Sequence, residues 1–407
     1  MKLVQCPNAR HKFAHICKYL LPLDLNLLRR GTTPPPTKRT RLADLAAARP
    51  ESVALTTAPT AKPLAAFDLR RIENGAESVE ALPARESTGY VAAIRDGISY
   101  GRSCSVMCPA GDAIIESGHF KTINDPPLRR WSWAHLSGRV ARRRWESDLT
   151  SRRRLPRIHC VEGSVATLNL RNSHNYYHWL VEILPRLATL RQMGFAPDYF
   201  LVDCHTPSQR SALALLGIPD RELIQPHAGL MLQASELLLP CFPTPGCIHE
   251  FRAMFWRTVR SDSTVRSENL PRRLFISRRN ARTRRLENDD EVESLLKRRG
   301  FETHFLENYS FAEQARLVNN ADVVVGVHGA GLANLVFAHS GARVVEIVDG
   351  DRYNRRLYPE LSQVVGLRHW QVIGSRTPRQ RTLSLSLADL SLAIDRAEAG
   401  GVDSRAA

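Results

Sequence analysis

Lysine is nearly missing from this chain of 407 residues: of 57 basic residues, 7 are lysine and 50 are arginine. Set against 41 acidic residues, they leave a formal net charge of +16. A surplus of that size points to an anionic partner without naming it. Long apolar runs are missing too. No stretch reaches the roughly 18 uninterrupted apolar residues of a membrane span. The best N-terminal candidate, 13–28, is broken by Lys18, Pro22 and Asp24, and it lacks a small-residue cleavage site. Neither a secretory signal nor an anchor is expected. Paired CxxC spacing is absent as well. Cys104 with Cys108, and Cys241 with Cys247 and His249, lack the spacing of a zinc site, so reduced thiols and no metal are expected. Aromatic residues make up only 7%, and few accompany the arginine clusters at 139–157. With no recognisable reader module, nucleic-acid binding is set aside.

What is present is ordinary enough to fold. A hydrophobic fraction of 43% and a charged fraction of 24% exclude wholesale disorder. The length suggests two or three domains. Residues 1–65, with Gly31-Thr32-Thr33-Pro34-Pro35-Pro36, read as an arm or linker. Residues 66–168 alternate short β-branched runs with Gly/Asp turns and read as a β-rich extension. From 169 to 265 a first α/β lobe is expected, with a helix around His178 that Pro185 must kink or restart. From 266 to 375 strands and helices alternate strictly, and Ser310 with Glu313 forms a capping-box pattern. Strands apolar on both faces argue a parallel sheet covered on both sides. A helix and tail fill 376–407. The fold class is therefore α/β: two Rossmann-like lobes with a cleft, behind a β-rich N-terminal extension.

In open α/β sheets, ligands bind beyond the carboxyl ends of the strands. Two loops of the second lobe sit there. One carries Arg278, Arg279, Arg282, Arg284 and Arg285; the other reads His328-Gly329-Ala330-Gly331-Leu332-Ala333-Asn334. Glycines admit a ligand to the backbone amides, and guanidinium forks grip phosphate oxygens, so together they describe a pyrophosphate site. A glycine loop alone is often a tight turn, and an arginine run alone is usually a solvated face. Glu346 lies inside an apolar strand, where a carboxylate must be paired or bound to ligand. Ribose binding and structural pairing are both open. In the first lobe His178 and Glu182 stand four apart on one helical face. Either suits the deprotonation of an acceptor hydroxyl; the bland alternative has His178 packing and Glu182 paired with Arg186.

Several segments in order resemble the family 61 glycosyltransferases, which include the DUF563-type enzymes of bacterial capsule clusters. They are Asn175-Tyr-Tyr-His178-Trp179-Leu with Leu184-Pro185-Arg186-Leu187, Ile276-Ser277-Arg278 and Asn288-Asp289-Asp290-Glu291. Phe311-Ala-Glu313-Gln314, the His328–Asn334 loop with Phe337, and Val345-Glu346-Ile347 complete the set. The resemblance implies a GT-B fold and inverting transfer from a nucleotide sugar, usually UDP-linked, to a polysaccharide or glycolipid hydroxyl. It implies that Arg278, Arg282, Arg285, His328, Gly329, Ala330, Gly331, Leu332 and Asn334 hold the donor, with Glu346 near its ribose. His178 or Glu182 would be the base, and no metal or other cofactor is required. The expected setting is cell-surface polysaccharide biosynthesis in the cytoplasm, with peripheral contact to an anionic membrane surface. The alternatives are a non-catalytic nucleotide-sugar-binding scaffold and, less in keeping with the motifs, a nucleic-acid-binding protein.

Overall fold

The computed structural model describes residues 2–5, 13–14, 38–58, 64–84, 88–102, 104–109, 112–114, 155–170, 172–261, 270–350, 356–376 and 382–399. The proline run at 34–36 and the arginines from 139 to 154 lie outside them. The chain is mixed α/β, with one 12-stranded and one 8-stranded sheet. It divides into two compact units: 1–60 with 88–251, and 61–87 with 252–407.

The first unit is built on four parallel strands, His159–Thr167, Tyr199–Leu201, Leu223–Ile224 and Met231–Pro240. Numbered along the chain, their spatial order is 3-2-1-4. The order reverses between His159–Thr167 and Met231–Pro240, and that reversal marks the ligand crevice of a doubly wound sheet. Antiparallel strands Tyr90–Arg95 and Ile98–Tyr100 extend Met231–Pro240. Part of the expected N-terminal linker belongs here: Lys38–Thr40 pairs with Asp112–Ile114, and Val53–Thr57 pairs with Tyr90–Arg95. Leu42, Leu45 and Val53 reach the core, so the threonine- and alanine-rich composition concealed a short buried pattern.

The second unit holds the expected rhythm. Its parallel strands Arg273–Ile276, Glu302–His304, Val323–Val327, Arg343–Asp349 and Arg368–Arg376 lie in the order 2-1-3-4-5. Every residue of Val323–Val327 is buried, as a strand covered on both faces requires. The order reverses between Arg273–Ile276 and Val323–Val327. Helix Phe311–Asn320 starts as its capping box dictates, with Glu313 N donating to Ser310 Oγ and Ser310 N donating to Glu313 Oε2.

The β-rich stretch at 66–168 is not one extension. Its first hairpin, Phe67–Glu73 with Ala76–Leu82, lies parallel to Arg368–Arg376 and widens the second sheet, whereas 90–114 joins the first. Asn74 and Gly75 turn the hairpin with left-handed backbone, φ 52° and 75°, as a tight two-residue turn demands. Asp389 of helix Leu387–Ala399 accepts from both turn amides, at 3.0 and 2.8 Å. That helix, which falls in the stretch expected to hold a helix and tail, packs Leu390, Ala393, Ile394 and Ala397 into the second core.

Cys104, Cys108, Cys204, Cys241 and Cys247 are buried thiols, but Cys160 is disulfide-bonded, so the expectation of reduced thiols fails there. No helix among the described residues is long and apolar enough to cross a membrane.

Candidate active site

The reversal point of the second sheet brings together the two loops singled out from the sequence. Arg278 leaves the Arg273–Ile276 strand and Gly329 follows Val323–Val327, and their chains touch. A Cβ built on Gly329 would stand 2.0 Å from Arg278 Nη1 and 2.5 Å from Cζ. Only glycine lets the guanidinium lie against the loop backbone at that point. Arg278 Nη2 donates to Thr283 O at 3.2 Å, while Nε is buried without a hydrogen-bond partner among the described residues. Burial lowers the Arg278 pKa from its ordinary value.

The other arginines separate. Arg279 is exposed and pairs with Asp289, Asp290 and Glu293, each at 2.7 Å, which fastens it to the first turns of helix Asp289–Arg298. Arg282 and Arg285 are exposed, and the Arg285 carbonyl accepts from Leu383 N. Arg284, absent from the expected donor set, adopts left-handed backbone at φ 59°, and its charge acts on the same buried tyrosine, Tyr358, as that of Arg278.

Around the glycine loop the side chains are fixed. The short helix after it is a 3-10 helix, Ala330–Phe337. Leu332 is buried, and Asn334 Nδ2 donates to Gly331 O and Gln314 Oε1, both at 3.1 Å, so these two residues hold the loop's shape from below. The Tyr358 hydroxyl donates to Gly329 O at 2.5 Å. Burial, then the Glu346 charge, pushes the Tyr358 pKa far up, so it remains a donor. Ala330 and Gly331 are partly exposed.

Glu346 has no exposed surface. Its Oε1 lies 2.5 Å from His328 Nδ1, and its Oε2 lies 3.0 Å from His369 Nε2 and 2.8 Å from Gln371 Nε2. Burial alone would raise its pKa, but the hydrogen bonds from His328 and His369 outweigh that and hold it at about 2. Of the two readings left open by the sequence, the geometry displays the paired one. His328, with 14% of its side chain exposed, is the member of this set that reaches the surface.

In the first unit, His178–Ile183 is a π-helix, with Leu184 N donating to Trp179 O five residues back at 3.0 Å. Such turns concentrate at functional sites. Pro185 then restarts an α-helix at its first position, Pro185–Gln192, where its missing N–H costs nothing. His178 Nδ1 and Glu182 Oε2 are 2.7 Å apart. The bland pairing of Glu182 with Arg186 does not form: Arg186 is fully buried and donates to the carbonyls of Pro240, Leu168 and Asn169. Those carbonyls end the two strands at which the first sheet reverses its order. The guanidinium therefore ties helix Pro185–Gln192, which follows directly on the turn bearing His178, to that point, and a buried charge persists only when bonded in this way. Trp179 Nε1 adds a bond to Asp203 O at 3.0 Å.

Tyr358, His369 and Gln371 escaped the reading of the sequence, which named Arg284 in the arginine loop but left it out of the donor set. A signal existed for two of them. His369 and Gln371 alternate inside the strand Arg368–Arg376, and the register sets Gln371 directly opposite Glu346. Polar residues on one face of adjacent buried strands must satisfy each other.

Known proteins resemble this part of the chain. A family model described as Glycosyltransferase 61 matches residues 176–345. An alpha-1,3-arabinosyltransferase of Oryza sativa subsp. japonica is 39% identical over 107 residues, which are 25% of this chain and 18% of that protein. A beta-1,2-xylosyltransferase of the same plant is 46% identical over 79 residues, 19% of this chain and 14% of its own. An EGF domain-specific O-linked N-acetylglucosamine transferase of Mus musculus is 30% identical over 102 residues, 24% and 19% of the two chains. The chain spans less than a fifth of the length of each of these relatives.

Proposed function

We propose that this chain, whose region 176–345 belongs to glycosyltransferase family 61, transfers a sugar from a nucleoside diphosphate donor to a hydroxyl of a glycan acceptor. The observation that carries the reading is the contact of Arg278 with Gly329 at the reversal point of the second sheet. There a fixed cation, a glycine backbone and the edge of His328 converge where doubly wound sheets bind phosphates. All three relatives named above are transferases of sugars by their names, which supports the same chemistry here. We take the two units as the lobes of a GT-B enzyme and the donor as UDP-linked, following the family.

The mechanism follows from charge. As the acceptor oxygen attacks the anomeric carbon, the bond to the diphosphate breaks and negative charge grows on the leaving oxygens. Arg278, His328 and the amides of Ala330 and Gly331 stabilise that charge, an arrangement typically worth 100-fold or more per donor. The acceptor hydroxyl loses its proton to a base. His178 fills that role because it is the exposed member of its pair, 27% against 8% for Glu182. Glu182 orients it through Nδ1, leaving Nε2 for the acceptor. One base and a single displacement invert the anomeric centre.

A thermal-shift screen with UDP-, GDP- and dTDP-sugars tests this reading. A donor at about 100 times its Kd stabilises the native state by about 2.7 kcal/mol, or roughly 5–10 °C for a unit of this size. Slow hydrolysis of the stabilising donor marks an enzyme; binding without turnover of any acceptor or water marks a scaffold. No shift with any nucleoside diphosphate sugar would sink the proposal.

A further inference from the structure

The buried groups behind His328 form a continuous chain with a direction. We propose that Ser362, His369 and Glu346 fix His328 in the Nδ1–H tautomer, so that its Nε2 takes up a proton from the buffered solvent when the anionic donor binds and keeps it in a hydrogen bond to the diphosphate. This rests on the donor reading above and extends it to three positioning residues, which act on the ligand only through His328.

The direction comes from donor and acceptor counting. An ionised carboxylate only accepts. His328 must therefore present Nδ1–H to Glu346 Oε1, and His369 must present Nε2–H to Glu346 Oε2. The remaining nitrogen of His369, Nδ1, lies 2.8 Å from Ser362 Oγ and accepts from that hydroxyl. Gln371 Nε2 shares Oε2, and Gln371 Oε1 accepts in turn from Arg71 Nε at 3.2 Å. With Oε2 taken twice, Oε1 is aimed at His328. The chain ends at His328 Nε2, beside the glycine loop.

The charges facing His328 say when that nitrogen is protonated. Glu346 faces it from Arg343–Asp349, and His369 stands behind that carboxylate. Tyr358, from helix Leu357–Val365, meets it edge to face at a centroid distance of 5.1 Å. Arg278 and Arg284 come from the loop after Arg273–Ile276. The charges of both arginines reach Tyr358, and the Arg278 guanidinium lies against Gly329, the next residue after His328. A bound diphosphate neutralises them and reverses the field at Nε2. Ligand binding and proton uptake are thereby linked, and linkage is reciprocal. Donor affinity should fall as pH rises.

Two measurements test this on the full chain. Imidazole nitrogen NMR of the free protein should find His328 as the Nδ1–H tautomer; the Nε2–H tautomer would overturn the relay. Calorimetric titration of UDP in buffers of different ionisation enthalpy should show net proton uptake and an affinity that weakens with pH. His369→Leu should weaken UDP binding about tenfold, the worth of one charged hydrogen bond, and flatten that pH dependence. His369→Gln, which keeps an amide donor at the same reach, should restore both. Ser362→Ala provides the same test in miniature if the leucine variant does not fold. UDP binding without proton uptake, or unchanged by His369→Leu, contradicts the relay alone. Failure of the wild type to bind any nucleoside diphosphate removes the donor reading as well, and the free-state tautomer then tells the two failures apart.

Discussion

The two units place a histidine beside a carboxylate in opposite ways. In the first, His178 and Glu182 are four residues apart on one helix, and the pair depends on a local π-turn. In the second, Glu346 is gripped by His328, His369 and Gln371, which stand 18, 23 and 25 positions away. The first carboxylate keeps some exposure, whereas the second has none. On the proposed reading the first pair is a base, which needs reach and renewal to collect a proton from an arriving hydroxyl. A clamp that must hold an anion site in shape needs rigidity, and burial with full hydrogen bonding supplies it. Damage to the first pair should therefore affect turnover, and damage to the second should affect binding and stability.

The largest effect should come from the first pair. His178→Ala is expected to lower kcat by about 100- to 10,000-fold while leaving UDP affinity unchanged in calorimetry. Glu182→Gln should lower kcat less, by about tenfold for the loss of one charged hydrogen bond. Gly329→Ala comes next. Its new methyl group meets the far end of a flexible side chain, so the fold survives while Arg278 is pushed off the loop. Donor affinity should fall about 100-fold, with a melting point close to that of the wild type.

Glu346 gives an acid signature. Its pKa is depressed from 4.5 to about 2 in the folded state, so it contributes stability above its unfolded value. That contribution, about 3 kcal/mol at 1.36 kcal/mol per pKa unit, is lost as pH falls from about 4.5 toward 2. Glu346→Gln should flatten the wild type's acid unfolding curve across that window. The smallest effect should be Tyr358→Phe, which removes the hydroxyl held by Gly329 O at about 1 kcal/mol. It should loosen UDP binding only a few-fold.

The same contrast explains what was legible in the sequence. His178 with Glu182, the Ser310 capping box and the His328–Asn334 loop are local patterns, and each reads from a few adjacent residues. The strand rhythm from 273 to 372 reads just as clearly, because β-branched runs buried on both faces have few alternatives. What stayed hidden is non-local. The Phe67–Leu82 hairpin joins a sheet whose other strands begin some 200 residues later, and no local pattern announces that pairing. Strand His159–Thr167 is interrupted by a register shift between Val161 and Ser164, which breaks its alternation. Arg284 could not be told from its neighbours by sequence; the structure gives it left-handed backbone and a charge that reaches Tyr358. Tyr358, His369 and Gln371 lie beyond the region that matches the family; the register at Glu346 identifies His369 and Gln371, while Tyr358 comes from a helix with no local signal.

The division of labour proposed for the units has one direct test: titration of UDP into the wild type, His178→Ala and Gly329→Ala under identical conditions. The account predicts that His178→Ala binds as the wild type does while Gly329→Ala loses about 100-fold. Equal affinity in all three proteins, or equal loss in both variants, would contradict it.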